Sequence, residues 1–364
     1  MDGTLEITEM GLLVLPVVFC VLGYFGDFMC EKPKWFGQSG QLQFGFYSGK
    51  CRDGNGFQRN VEDIVKQKVK EKFSSDTTIV AALLRMQFHD CFVNGCDASI
   101  LLDVPNGEKT APPNLSVRGY EFIEDIKTEI ENTCPGVVSC ADIIVMATRD
   151  AVVESDIKKM GTGWYPVQTG RRDGRVSSAQ NVNLPSPSIP VPQAIAAFSS
   201  KKLSTIDMVY LLGGGHSVGV AHCGLFENRL YDFKNTGNPD PAMNTTLLKT
   251  LRTLCHRNSG SPNSANLDQD PLKSSSVDKS FYEQIRLGNG ILEVDQQLAM
   301  DPNTRFPVAR IAGSNDFSFQ FGRAMIKLGA VDVKIGRDGE IRKKCAAVNS
   351  PNRSSGGKFF NLFG

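Results

Sequence analysis

Ten cysteines are spread along this chain of 364 residues, and no two of them stand in a C-x-x-C pair. Pairs of that kind build zinc modules, so so many thiols without them read as a disulfide framework made in an oxidising compartment. Cys20 and Cys30 lie in the leader, where neither has an obvious partner, and the other eight run from Cys51 to Cys345. With 41% hydrophobic and 22% charged residues, the chain can bury the core of one large or two closely packed domains. The net charge is +1 and no long Lys/Arg block occurs, which argues against nucleic acid as the main partner.

The leader holds an apolar run, "GLLVLPVVFCVLGYF" (Gly11 to Phe25), of the length of a signal-peptide core and short for a membrane span. Asp2, Glu6 and Glu9 precede it and Lys32 and Lys34 follow, an order that would also suit an uncleaved anchor. Residues 1–40 therefore read as a signal peptide or N-terminal anchor, 41–345 as the folded domain and 346–364 as a disordered tail. Helical periodicity dominates the domain. "VEDIVKQKVKEKF" aligns Val61, Ile64, Val65, Val69 and Phe73 on one face, and "GYEFIEDIKTEIENTC" repeats Phe122, Ile126 and Ile130 every four residues. "SCADIIVMATRDAVV" is apolar on nearly all sides, as a buried helix would be. Strands are few and short, around Ile341, so the expected class is mostly α-helical.

Two stretches carry chemistry. In "LLRMQFHDCFVNGCDASILL" (Leu83 to Leu102), Arg85 and His89 lie one helical turn apart, so their side chains share a direction. A neutral histidine can move a proton near pH 7 and a guanidinium can stabilise a developing anion, which together suit cleavage of a small O–O or O–X bond. A surface i,i+4 pair is the plain alternative; Phe88 and the preceding "AALL" argue for a buried face. The loop that follows is crowded with oxygen donors between Cys91 and Cys96. In "DMVYLLGGGHSVGVAHC", His216 follows three glycines that would let a backbone or a flat ligand approach, or that simply pack helices. No Lys-Ser/Thr follows them to make a phosphate loop, and His222 points to a different face. Two lone histidines so far apart cannot form a compact zinc motif, whereas one on each side of a planar cofactor would be natural.

"LLRMQFHDCFVNGCDASILLD", "GEKTAPPNLSVRGYEFI", "CPGVVSCADII", "GRRDGR" and "LLGGGHSVGVAHC" together resemble the motif set of the plant secretory (class III) haem peroxidases. The likeness runs from "QLQFGFYSGKC" to "KKCAAVN", nearly the whole domain. It implies a fold with haem b sandwiched between a distal half, about 41–185, and a proximal half, about 186–345. His216 would be the axial iron ligand, with Asp295 accepting its other N–H. His89 would move the peroxide proton, Arg85 would stabilise the charge, Phe88 would wall the pocket, and Asn114 would orient His89 with Glu108 one link further along. Asn114 also begins a sequon, as do Asn244 and Asn352.

The same resemblance assigns a first calcium to Asp90, Asp97, Ser99 and Glu108 with the carbonyls of Val93 and Gly95, a crowded oxygen cage continuous with the distal helix. A second calcium would use Ser217, Asp270, Lys273, Ser276 and Asp278, although Lys273 stands where the family usually has threonine and Asp268 offers another register. The implied bridges are Cys51–Cys134, Cys91–Cys96, Cys140–Cys345 and Cys223–Cys255, and Asp142 with Arg171 resembles a buried pair joining the two halves. Pro185 resembles the residue whose carbonyl meets a phenolic donor at the haem edge; rigidifying its loop is the other reading. The implied protein is a secreted monomer, in the cell wall, the vacuole or on a membrane anchor, that uses hydrogen peroxide and small phenols. A catalytically weak extracellular binding or structural protein is the alternative.

Overall fold

The periodic segments become helices whose apolar stripes face one another. The computed structural model describes residues 20–22, 28–30, 42–155, 163–257, 260 and 262–350, and the chain divides into two units, 1–40 and 41–364. In the first, β1 (Cys20–Leu22) pairs antiparallel with β2 (Phe28–Cys30), setting Cys20 opposite Cys30 in the backbone register. Among the described residues no helix is long and apolar enough to cross a membrane.

The second unit holds twelve described α-helices and only two-residue and three-residue strands. α1 (Val61–Ser75) starts at Asn60, whose side chain accepts the Glu62 N–H. It buries Val61, Val65 and Val69, with Ile64 and Phe73 packed at the margin. α2 (Ile79–Val93) carries Arg85 and His89. α3 (Tyr120–Thr133) buries Phe122, Ile126 and Ile130, and every residue of α4 (Cys140–Glu154) from Cys140 to Val152 is buried. α4 packs against α1, α2 and α3, so it forms the axle of this half.

The chain continues through α5 (Val191–Ser200), α6 (Thr205–His216), α7 (Glu227–Tyr231), α8 (Thr245–Leu254), α9 (Ser280–Arg286), α10 (Glu293–Leu298), α11 (Arg305–Gly313) and α12 (Phe317–Leu328). A capping box, with Ser204 and Asp207 bonding each other's backbone, starts α6 and so sets where His216 falls at its far end. A second, smaller apolar cluster lies under α7, α8 and α10, and Ile189 and Leu212 touch both clusters. No strand forms around Ile341: Glu340 makes only an isolated bridge to Asp173, and the segment is organised by Arg342, buried with Asp173 beside it.

The four expected disulfides are present, with S–S separations of 2.14, 2.05, 2.06 and 1.99 Å for Cys51–Cys134, Cys91–Cys96, Cys140–Cys345 and Cys223–Cys255. Asp142 and Arg171 meet at 2.7 Å, both buried. Asp142 also accepts from the Tyr47 hydroxyl at 2.6 Å and the Gly170 N–H at 2.7 Å, while Arg171 donates to the Gly329 carbonyl after α12. The body does not stop at Cys345: the Ala346 carbonyl accepts from Asp103 and Asn349 bonds Lys343, Glu340 and Ile341. The tail expected from 346 therefore begins later, and residues 351–364 lie outside the described ones.

Candidate active site

His89 sits half-buried on α2, and its Nδ1 lies 2.6 Å from Asn114 Oδ1. Asn114 is 1% exposed and donates through Nδ2 to the Glu108 carbonyl at 2.8 Å. With the amide held that way round, Oδ1 can only accept, so His89 carries its proton on Nδ1 and leaves Nε2 as a base. Burial lowers His89 to about 4, and the Arg85 charge adds to this against the opposing Asn114 bond. The ring is thus neutral at pH 7. The link beyond Asn114 is the Glu108 backbone oxygen rather than its carboxylate.

Arg85 is exposed rather than walled in. Its Nε lies 3.4 Å from His89 Nε2, and its Nη2 donates to the Pro113 carbonyl at 2.8 Å. The guanidinium thereby lies against the basic nitrogen. Phe88 packs on Phe92 and Phe198 at 4.7 and 5.8 Å between ring centres. Phe198 was not legible beforehand, because it arrives from α5.

Across from α2, which α6 contacts, His216 Nδ1 lies 2.8 Å from Asp295 Oδ1. Burial would lower this histidine, but the Asp295 charge and hydrogen bond outweigh it and the pKa is raised. Asp295 is fully buried while the His216 side chain keeps 27% of its surface, and only its Nδ1 has a hydrogen-bond partner among the described residues. The three glycines divide. A Cβ on Gly213 would lie 2.3 Å from the Tyr282 ring and one on Gly214 2.3 Å from Phe321, whereas one on Gly215 would meet nothing within 4 Å. Two of them pack helices, and only the one beside His216 leaves room. An axial nitrogen free of protein partners, with a carboxylate behind it and space in front, fits a haem iron.

The side-chain donors of the oxygen-rich loop are buried. Asp90, Asp97, Ser99 and Glu108 are at most 1% exposed. Burial, then the charges of Asp97 and Glu108, push Asp90 well up; burial with the Asp97 charge brings Glu108 to about 7. Ser99 Oγ and Glu108 Oε2 have no hydrogen-bond partner among the described residues. Gly95 has φ +92, and a Cβ there would strike the Asp332 carbonyl at 2.3 Å, so only glycine allows the turn. Among the described residues no three acidic, His or Cys side chains close on one point. Lys334 lies 2.9 Å from Asp97, and Lys201 donates to the Val93 carbonyl at 3.1 Å. Both ammonium groups are distant in sequence and were not anticipated. The donor set, acids repelling one another around unpaired oxygens, fits a hard cation.

The second oxygen set is not gathered as expected. Asp270 pairs loosely with Lys273 at 4.0 Å and takes the Leu272 N–H, and Ser217 donates to the Gly214 carbonyl at 2.7 Å. Ser276 is buried and Asp278 accepts the Ser280 N–H at 2.7 Å. The deeply buried acid is Asp268, at 1% exposure, bonded to the Ser280 hydroxyl and raised to about 6 by burial and by the charges of Asp278 and Asp270. Leu267 N donates to the Gly219 carbonyl at 3.0 Å, which ties this loop to the chain leaving His216. Asn244 is spent as the cap of α8, accepting from Thr246 and Leu247, and Asn352 lies outside the described residues. Pro185 is half-buried in a connector pinned by the Val294 N–H on the Pro187 carbonyl, beside Asp295.

A family profile described as Peroxidase matches residues 65–314. Peroxidase 60 of Arabidopsis thaliana is 48% identical over 314 residues, covering 86% of this chain and 92% of its own. Peroxidase 57 of the same plant is 50% identical over 311 residues, covering 85% and 93%. Peroxidase N1 of Nicotiana tabacum is 43% identical over 311 residues, covering 84% and 90%.

Proposed function

Because the chain belongs to the peroxidase family, in its plant class III branch, we propose that its chemistry is divided between two oppositely tuned histidines. The protein is a haem peroxidase, and a purely structural role is not favoured. Haem b, held by His216 Nε2, would supply the iron at which the peroxide O–O bond parts and from which single electrons are later replaced. His89 Nε2 takes a proton from hydrogen peroxide and returns it to the departing oxygen, which leaves as water. Asn114 keeps Nε2 the basic nitrogen throughout. Arg85 stabilises the negative charge that develops as the bond lengthens. Asp295 holds the His216 proton on Nδ1, so that Nε2 remains the ligand and is made more electron-rich.

Phenolic donors would approach past Pro185. One calcium would be held by Asp90, Asp97, Ser99 and Glu108 with the Val93 and Gly95 carbonyls. A second would be anchored by Asp268 and Asp278 with Ser217, in preference to the Lys273 register. The domain would span 41 to about 349, act as a monomer and be secreted; its four disulfides support an oxidising destination. The observation that carries the reading is the pair of histidines, each with Nδ1 held by a side-chain oxygen. Stopped-flow mixing of the haem-loaded protein with hydrogen peroxide tests it, alongside an Arg85→Ala/His89→Ala variant. A rapid loss and shift of the Soret band in the wild type alone is expected, and a spectrum indifferent to peroxide in both proteins overturns it.

A further inference from the structure

We propose that Tyr210 is the outer end of a second electron route, through which this enzyme oxidises a phenol that never reaches the haem edge. The inference rests on the haem-peroxidase reading and adds a donor site to it. Tyr210 lies six residues before His216 in α6, about 9 Å along the helix axis. Its ring neighbours Phe317 at 6.2 Å between centres; Phe317 meets Tyr282 at 5.8 Å, Tyr282 meets Phe281 at 5.8 Å, and Phe281 meets His216 at 6.3 Å. An unbroken series of aromatic rings thus joins the iron-side histidine to Tyr210. Helix packing alone would require the apolar contacts but not a phenol at the outer end.

That phenol is anomalous. Tyr210 is 2% exposed, yet its Oη makes no well-formed hydrogen bond among the described residues and has the Arg310 guanidinium nearby, while the Tyr282 hydroxyl donates to the Val209 carbonyl at 3.0 Å. Burying an unpaired hydroxyl costs free energy that a phenylalanine would avoid. Asp316 pairs with Arg310 at 3.0 Å through Oδ2, and the charges of both bear on Tyr210.

Tyr210 is also the floor of a surface groove of about 320 Å³ lined by Ile206, Phe306, Pro307, Arg310 and Ile311. Phe306 is 68% exposed and carries the Arg305 guanidinium 5.0 Å over its ring. Arg305 does not line the groove, but it stands over the exposed Phe306 at its edge and has no ion pair among the described residues, which leaves a cation beside the groove. The occupant that fits is a phenol bearing a carboxylate, and the open mouth admits one attached to a polymer. Each such donor gives one electron through Tyr210 and one proton to solvent, becoming a phenoxyl radical. Two donors supply the two electrons and two protons that turn one hydrogen peroxide into two waters.

The test uses the haem-loaded full chain. Peroxide is added without donor in the presence of a nitroso spin trap, and the adduct is located by peptide mass spectrometry. We expect the adduct on the peptide containing Tyr210, absent in Tyr210→Phe. In turnover, Tyr210→Phe and Arg305→Glu should each lower kcat/KM for a hydroxycinnamate coupled to dextran about tenfold, with free guaiacol changed less than about twofold. Unchanged turnover of the polymer-bound phenol in Tyr210→Phe, or an adduct that stays when Tyr210 is replaced, overturns the route. Failure of the wild type to oxidise guaiacol would instead overturn the haem-peroxidase reading, and the route with it.

Discussion

Replacing Asn114 with aspartate sets the two histidine pairings of this protein against each other. On the distal side an amide oxygen 2.6 Å from His89 leaves the ring at a pKa of about 4. On the proximal side a carboxylate oxygen 2.8 Å from His216 lifts a part-buried ring above its ordinary value. The difference is charge: an amide dipole cannot outweigh the desolvation of an imidazolium, and a full negative charge can. Asn114→Asp should therefore carry His89 from about 4 to above the ordinary value of about 6.5. The base is the neutral ring, so its available fraction falls as pH drops through that pKa. The second-order rate of peroxide reaction, followed at the Soret band, should be flat in the wild type down to about pH 5 and halve near pH 4. In the variant it should be reduced at least about tenfold at pH 5.5, one unit below the new pKa. Asn114→Ala separates the tautomer effect: the rate falls at every pH, but the acid limb stays low. An Asn114→Asp limb that remains near pH 4 would refute the reasoning.

Two further outcomes follow from buried charge. Asp142→Ala strands the Arg171 guanidinium in the interior and should cost about 3–5 kcal/mol, read as a lower urea midpoint; a loss below about 1 kcal/mol would mean that the Gly329 carbonyl contacts suffice to hold Arg171. Calcium binding at pH 6 should expel on the order of one proton from the Asp90–Glu108 pair, because both acids are pushed up and Glu108 sits at about 7. Calorimetry in buffers of different ionisation enthalpy measures this, and the part of the release that comes from Glu108 should fade as pH rises above about 7.

What could be read from the letters was what depends on short-range periodicity or on a motif. α1, α3 and α4 followed from spacings of three and four, and the burial of α4 on all sides from its lack of polar positions. His89 with Asn114 and His216 with Asp295 came together as the resemblance implied. What could not be read depends on distant chain meeting at one point. Lys334 beside Asp97 has no local signature, and the three adjacent glycines look alike until Tyr282 and Phe321 are seen against two of them. Asp268 and Asp270 are two residues apart in one acidic loop, and only burial tells the deep acid from the surface one. Residues 346–349 looked like tail because what holds them is contact with other parts of the chain, the Glu124 and Glu340 carboxylates and the Asp103 and Ile341 backbone, which composition does not reveal.

Glu108 shows why the oxygen cage and the catalytic base cannot be treated as separate devices. Its carboxylate belongs to the buried acid cluster, with Oε1 held by Asn94 at 2.7 Å and Oε2 unpaired. Its backbone carbonyl takes the Asn114 amide, which in turn holds His89. One residue therefore reports the charge state of the cage to the atom that orients the base. A cation held there would offset the mutual repulsion among Asp90, Asp97 and Glu108, which bears on the same turn that presents the carbonyl. The arginine and histidine of α2 and the oxygen-rich loop beyond them are thus joined physically, because Glu108 gives its side chain to the loop and its carbonyl to the Asn114 amide that holds His89.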